Sequence, residues 1–226
     1  RAGRMSRGLG DVYKRQPQHI RLLKAAGCKA MVYGEVSNSV HGDIDTPLSQ
    51  RVILSMEEWK TYGEKLTKVA KYLLEEHDIK LSFHHHVGTI CETEDDINLL
   101  MELTGPEVFL TLDTGHVTYG GGNPVTMIER WGHRIGHMHF KDLRLGVMKT
   151  ARDPDKSFLN AVLDGVFTVP GTGDVNYDDV FAALKARNYE GWLLVEAEQD
   201  PAKAHPLTFA KTAYENISGY AEKYGL

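Results

Sequence analysis

Groups able to bind a divalent cation or move a proton recur in this chain at the ends of short apolar runs. Residues 81–89 read LSFHHHVGT, three histidines closing such a run. On a β-strand successive side chains alternate faces, so His84 and His86 share one face and His85 points away from it. Other runs end in Glu35, in Asp113 with His116, in His137 and His139 followed by Lys141 and Asp142, and in Glu196 with Glu198. Mixed imidazole and carboxylate groups suit a first-row ion such as Mn2+, Co2+ or Zn2+, with no thiolate demanded. Each member alone has an ordinary reading. A strand-end histidine is often structural, Asp113-Thr114-Gly115-His116 has the composition of a turn, and Glu196 with Glu198 could be a charged rim. Their recurrence at four adjacent strand ends is what favours chemistry.

The elements that must position these groups are five β-rich segments, 29–35, 79–84, 108–113, 135–140 and 192–196. Near-continuous apolar runs of this length indicate strands covered on both faces, as in parallel sheets. Between them lie helix signals. Ser55-Met-Glu-Glu58 is a capping box opening an amphipathic run to Leu74, and Thr93-Glu-Asp-Asp96 opens another that Gly105 closes. Asn123-Pro124 supplies an N-cap with proline at the first helical position, Asn176 starts a helix running to Ala186, and Pro206 begins the last. Residues 18–26 read as a helix feeding the first strand. This βα alternation allows a doubly wound sheet or a (β/α)8 barrel. No Gly-rich nucleotide motif follows a strand. A barrel takes about 250 residues, so five strands here indicate an α/β fold of the (β/α)8 TIM-barrel type. It is incomplete, with about the last five βα units present. Two sheet edges and part of the core would then be bare, and poor solubility is expected.

The expected domain layout is a segment 1–16 outside the fold and a partial barrel over 17–226. Residues 1–16 carry five basic side chains against one acidic and show no apolar periodicity. Their stretch DVYKRQ is what the end of a sequencing-library adaptor encodes when read as protein. The formal charge of −5 becomes −9 for residues 17–226, a balance that argues against a nucleic-acid partner. No stretch approaches the roughly 20 apolar residues of a membrane span. Two cysteines, Cys28 and Cys91, form neither a disulfide framework nor a CxxC site, which fits a reduced, cytoplasmic setting. Cys28 is expected to pack against the first helix or strand.

The strand-end pattern Asp113-x-x-His116, His137-x-His139 and Glu196 resembles the xylose-isomerase-like superfamily. Within it, the runs FHHHVGT, LDTGHVTYGGGNP, HMHFKDLR, FLNAVLDGVFTVPGTGDVNY and YEGWLLVEAEQDPAKAHP resemble the inosose dehydratases of inositol catabolism. The resemblance spans residue 17 to the C-terminus and implies eight strands, of which the first three are missing here. It implies a divalent metal, Mn2+ or Co2+ first and Zn2+ next, held at His84, Asp113, His139 and Glu196. The first ligand of relatives is usually Glu, and that position falls on His84, with His86 the competing imidazole. His116, Lys141, His86 and Glu198 are the candidates for base, acid and hydroxyl recognition, His116 and Lys141 foremost because each adjoins a ligand motif. The substrate implied is a small cyclitol ketone that loses water, with no nucleic-acid or membrane partner and a homo-oligomer left open. The alternatives are a metal-dependent sugar isomerase or epimerase of the same fold, or an inactive fragment. His85 is expected to have no chemical role, residues 165–173 are a loop or a lid, and His41 is a minor candidate for substrate contact.

Overall fold

A computed structural model describes residues 18–226; the reading of residues 1–16 as foreign to the fold lies outside that range. In chain order the elements are α1 (18–25), β1 (Ala30–Tyr33), α2 (Met56–His77), β2 (Lys80–His84), α3 (Glu94–Glu102), β3 (Val108–Asp113), α4 (Thr114–Tyr119), α5 (Pro124–Trp131) and β4 (Ile135–Phe140). There follow β5 (Asp142–Leu143), α6 (Leu145–Arg152), α7 (Phe158–Leu163), β6 (Phe167–Thr168), α8 (Tyr177–Ala186), β7 (Leu193–Val195) and α9 (Pro206–Tyr224).

The five expected strands form one parallel sheet in the order β1-β2-β3-β4-β7. Cα atoms of β2 and β4 come within 8 Å although β3 lies between them. Flat strands two places apart stand roughly 9.5 Å from each other, so the sheet is curled like part of a barrel wall. Its convex face carries Leu81, Phe83, Leu110, Leu112, Met138 and Phe140, all buried under α2, α3, α5 and α8. The alternate residues point to the concave side: Ser82 and His84, Thr111 and Asp113, His137 and His139. The period of two thus delivers an apolar seam to the helices and a polar row to the hollow.

Capping behaves as the side chains dictate. Ser55 and Glu58 form a reciprocal capping box on α2, and Thr93 with Asp96 does the same on α3, which ends at Glu102, three residues short of Gly105. Asn123 and Asn176 cap α5 and α8. One expectation needs correction, and two segments left open by the sequence gain definition. Cys28 is exposed rather than packed. Asp113-Thr114-Gly115-His116 is no simple turn but the start of α4, which Asp113 caps. Residues 165–173 include β6, paired antiparallel with β5, where a plain loop or lid was expected. The carboxylate of Asp142 ties this segment down by accepting from the backbone N–H of Gly171, Gly173 and Val175 at 2.9–3.0 Å. Together α6, α7 and β6 bring Phe158 and Phe167 into a small second core over the strand ends.

Among the described residues neither outer strand has a second partner, and apolar side chains stand exposed there: Val32 on β1, and Trp192 and Leu194 at β7. An apolar groove between β7 and α9, lined by Leu193, Val195, Phe209 and Ala213 among others, holds no carboxylate or imidazole. It is not the seat of the chemistry.

Gly136 shows how closely the sheet is fitted beneath the polar row. A Cβ there would overlap Ser82 Oγ of β2 and stand 2.9 Å from Phe109 Cβ of β3. Gly136→Ala is therefore expected to cost about 1–3 kcal/mol by overpacking. Adding Ser82→Ala removes one of the two obstacles, so urea denaturation should show the double variant less destabilised than the sum of the singles. Simple additivity would mean that the strands do not approach as closely as described.

Candidate metal centre and proton-transfer cluster

The concave ends of β2, β3, β4 and β7 converge on one point. His84 Nε2 lies 3.7 Å from Asp113 Oδ2 and 4.0 Å from Glu196 Oε2. His139 Nδ1 lies 3.8 Å from Asp113 Oδ2 and 2.9 Å from Glu196 Oε2. All four of these atoms are buried and have no hydrogen-bond partner. Buried polar atoms are almost always satisfied, so four orphans aimed at each other are an observation that asks for a ligand. Ligands about 2.0–2.2 Å from a shared ion, set between right and tetrahedral angles, stand about 2.8–3.6 Å apart. The four edges given above, 2.9–4.0 Å, lie at or somewhat beyond that span, so an ion would draw the side chains inward.

Local structure explains how each atom is freed for this role. Asp113 caps α4 through Oδ1, which accepts from His116 N at 2.8 Å, leaving Oδ2 for the hollow. His85, expected to have no chemical role, is fully buried, and its Nε2 accepts from the backbone N–H of Asp113 at 3.1 Å. That bond fixes the end of β3 against β2, and nothing in the sequence pattern announced it. Thr114 Oγ1 bonds the backbone of Lys141 in both directions, accepting from N at 3.0 Å and donating to O at 2.9 Å, and meets Tyr177 Oη at 3.0 Å. The ends of β3 and β4 are thereby locked together. Glu35, in contrast, is taken up by Tyr33, at 3.0 Å, and by Ser37, and faces its own turn.

His116 is a competing third imidazole. It, rather than His139, offers an atom within 4.8 Å of those of His84, Asp113 and Glu196 at once. Its Nε2, however, is 2.9 Å from the ammonium of Lys141, which occupies that lone pair. His139 Nδ1 faces only Glu196 and Asp113, while His116 keeps its Nδ1 without a partner, so both imidazoles remain candidates beside His84, Asp113 and Glu196. His86 stands outside this set, its Nε2 3.4 Å from Glu198 Oε1.

A second cluster adjoins the first. Lys141 Nζ donates to Glu198 Oε2 at 2.8 Å and lies 3.3 Å from Glu196 Oε2 and 3.6 Å from Asp113 Oδ2. The His86 and His116 rings lie 3.9 Å apart, centroid to centroid, and Phe158 packs on His86 at 5.1 Å. His41, held at Ser39, stands 4.9 Å from His86. Accessibility separates the members of this cluster. Glu198 keeps 27 % of its side chain exposed and His86 15 %, whereas His116 and Lys141 have none. The two residues ranked foremost by sequence adjacency lie beneath the two that reach the cleft. Lys141 runs so close under α4 that a Cβ on Gly115 would be 2.7 Å from its Cγ.

Charge follows from this packing. Burial would weaken the Lys141 ammonium, but Asp113, Glu198 and Glu196 outweigh it and raise its pKa. Burial likewise opposes the carboxylates, yet the Lys141 ammonium holds Asp113 well below the usual range. Glu196 is brought down to about 2 by His139 and Lys141 against the cost of burial. Burial is the leading cause that lowers His84, and it lowers His116 well below the usual value with Lys141 adding to it. It takes His85 to about 3. Three ionised carboxylates against one ammonium leave two negative charges, which one divalent cation would balance.

The xylose isomerase-like TIM barrel family model matches residues 13–218. The chain is 45 % identical over 207 residues to the rhizopine catabolism protein MocC of Rhizobium meliloti, covering 92 % of this chain and 63 % of that protein. It is 43 % identical over 202 residues to the inosose dehydratase of Clostridium tetani (strain Massachusetts / E88), covering 88 % and 67 % respectively. The chain thus spans about two thirds of the length of these curated relatives. The crystal structure of an IOLI protein with a binding zinc atom superposes with a TM-score of 0.69 at 19 % identity, covering 96 % of this chain and 72 % of that one. At that identity the likeness concerns the fold.

The neutral imidazoles carry a pH consequence. Below about pH 6.5 an unfolded chain protonates its histidines, while His84, His85 and His116 resist protonation in the fold. The unfolded state then binds more protons, so stability falls with pH, for His85 down to about 3. Metal-free protein is expected to keep a constant Tm above about pH 6.5 and lose it steadily between about 6.5 and 5. His85→Gln, whose amide oxygen still accepts from Asp113 N, should make that decline shallower. An unchanged decline in the variant would mean that His85 is not held neutral.

Proposed function

The chain belongs to the xylose isomerase-like TIM barrel family, and from that premise we propose that it is a metal-dependent hydro-lyase. Its proposed substrate is an inosose, 2-keto-myo-inositol, which loses water to give a trihydroxycyclohexane-dione. The observation that carries this reading is the meeting of four orphaned atoms, His84 Nε2, Asp113 Oδ2, His139 Nδ1 and Glu196 Oε2, beside an accessible carboxylate–imidazole pair. Similarity to inosose dehydratases at 40–43 % identity supports the choice of substrate.

Loss of water from a polyhydroxy ketone makes three demands. Charge must be stabilised on the carbonyl oxygen as the α-proton leaves, a base must take that proton, and an acid must protonate the departing β-hydroxyl. A divalent cation held by His84, Asp113, His139 and Glu196 would supply the Lewis acidity. Mn2+ or Co2+ suits this mixed set, and Zn2+ is the next choice. Glu198 takes the α-proton. Burial opposes its ionisation, but His86 and Lys141 outweigh it and keep the carboxylate anionic. His86, the other accessible member, delivers a proton to the leaving hydroxyl. The carbon that lost its proton bears a hydroxyl, so elimination leaves an enol that tautomerises to the second ketone, and the net change is one water. Lys141 and His116 hold Glu198 from below and reach the substrate only through it. Phe158, Phe167 and the segment that Asp142 anchors keep water from the far side of the cluster.

Metal-stripped gene product is expected to form dione from inosose only after Mn2+, Co2+ or Zn2+ is restored. Epimerised sugar without dehydration would transfer the assignment to an isomerase or epimerase of the same fold. Glu198→Gln should lower kcat by about 10²–10⁴-fold, the usual range for a general base, with bound metal unchanged. Equal loss of metal and activity would make Glu198 a ligand instead.

A further inference from the structure

His86, His116 and Glu198 form a second group whose donor atoms lie within 4.8 Å of one another. Two imidazoles and one carboxylate are by themselves an adequate set for a first-row divalent ion. Paired ions about 3.5–4 Å apart are a common catalytic arrangement, and the second group adjoins the first. The cavity of this second group is nevertheless already filled. Lys141 Nζ stands 2.9 Å from His116 Nε2 and 2.8 Å from Glu198 Oε2, and these are the atoms an ion would use. It also stands 3.3 Å from Glu196 and 3.6 Å from Asp113, the carboxylates of the first group.

We propose that Lys141 is a resident second cation: its ammonium occupies what would otherwise be a divalent-metal site formed by His86, His116 and Glu198, and so limits the centre to one ion. The inference rests on the metal-dependent reading of the first group. Three features hold the lysine to that role. Its side chain is fully enclosed, so it cannot swing out to solvent. The approach of Gly115 to its Cβ and Cγ fixes the stem. The charges close with one divalent ion, because Asp113, Glu196 and Glu198 carry three negative charges against the single ammonium. A second divalent ion with Lys141 in place would leave an excess of two positive charges in a buried site, which is expensive. Removing the ammonium both vacates the donor atoms and lowers that excess to one.

Metal content decides this independently of turnover. Metal-free protein is dialysed to equilibrium against Mn2+, and bound ions per chain are counted by elemental analysis. The intact chain is expected to hold one ion, Lys141→Ala two, and Lys141→Ala/Glu198→Gln one again. Lys141→Arg, which keeps a cation there, should stay at one. In the two-ion variant, electron paramagnetic resonance should show coupling between neighbouring Mn2+ ions, a signature that loosened packing would not produce. One ion in a folded Lys141→Ala overturns the proposal, as do two ions in the intact chain. If Lys141→Ala does not fold, Lys141→Met, which keeps the stem and removes the charge, decides: two ions support the proposal and one ion overturns it. No bound ion in the intact chain would instead refute the metal-dependent reading itself.

Discussion

Buried carboxylates must be compensated, and the structure around the strand ends follows from that need. Asp113 is fully enclosed, Glu196 and Glu198 are partly so, and all three remain ionised. An uncompensated buried charge costs several kcal/mol even after relaxation. Lys141 offsets part of this by contacting all three, and the remaining charge faces a hollow lined by imidazole lone pairs. The protein thereby keeps a site that is costly when empty and favourable when a cation enters, a coupling of binding to stability general to metal centres.

The scaffold turns this into directed chemistry by giving each side chain one task. Asp113 uses one oxygen to cap α4 and the other to face the hollow, so the helix that follows β3 also sets the angle of the carboxylate. His85 and Thr114 secure the backbone on either side of it. Asp142, the neighbour of Lys141, accepts from several backbone N–H groups and anchors the segment that carries Phe167 over the cluster. Adjacent residues on one strand end therefore divide between the reacting side and the packing side. This division is a direct result of the strand's alternation.

Much of the fold is legible along the chain because its signals are local. The five strands, the caps at Ser55, Thr93, Asn123 and Asn176, and the proline opening α9 all depend on neighbours within a few residues, and the structure bears them out. The α4 helix, the β5–β6 pair and the short α6 and α7 helices escape such reading. All are short, and the β5–β6 segment depends on distant partners such as Asp142 with Gly171.

For the site the division has the same cause. Residue types and strand-end positions bring forward Glu35, His84, His86, Asp113, His116, His137, His139, Lys141, Asp142, Glu196 and Glu198 as candidates. Alternation indicates which of them share a face, and only the family resemblance narrows them to a ligand set and its neighbours. Alternation is silent on depth. Only the folded chain puts His116 and Lys141 beneath Glu198 and His86, directs the Lys141 ammonium into the second cluster, and gives His85 a backbone partner 28 residues away. Those outcomes depend on how far each strand end projects and on what packs over it. Such distances are set by the curl of the sheet and the second core, to which no single stretch of sequence has access.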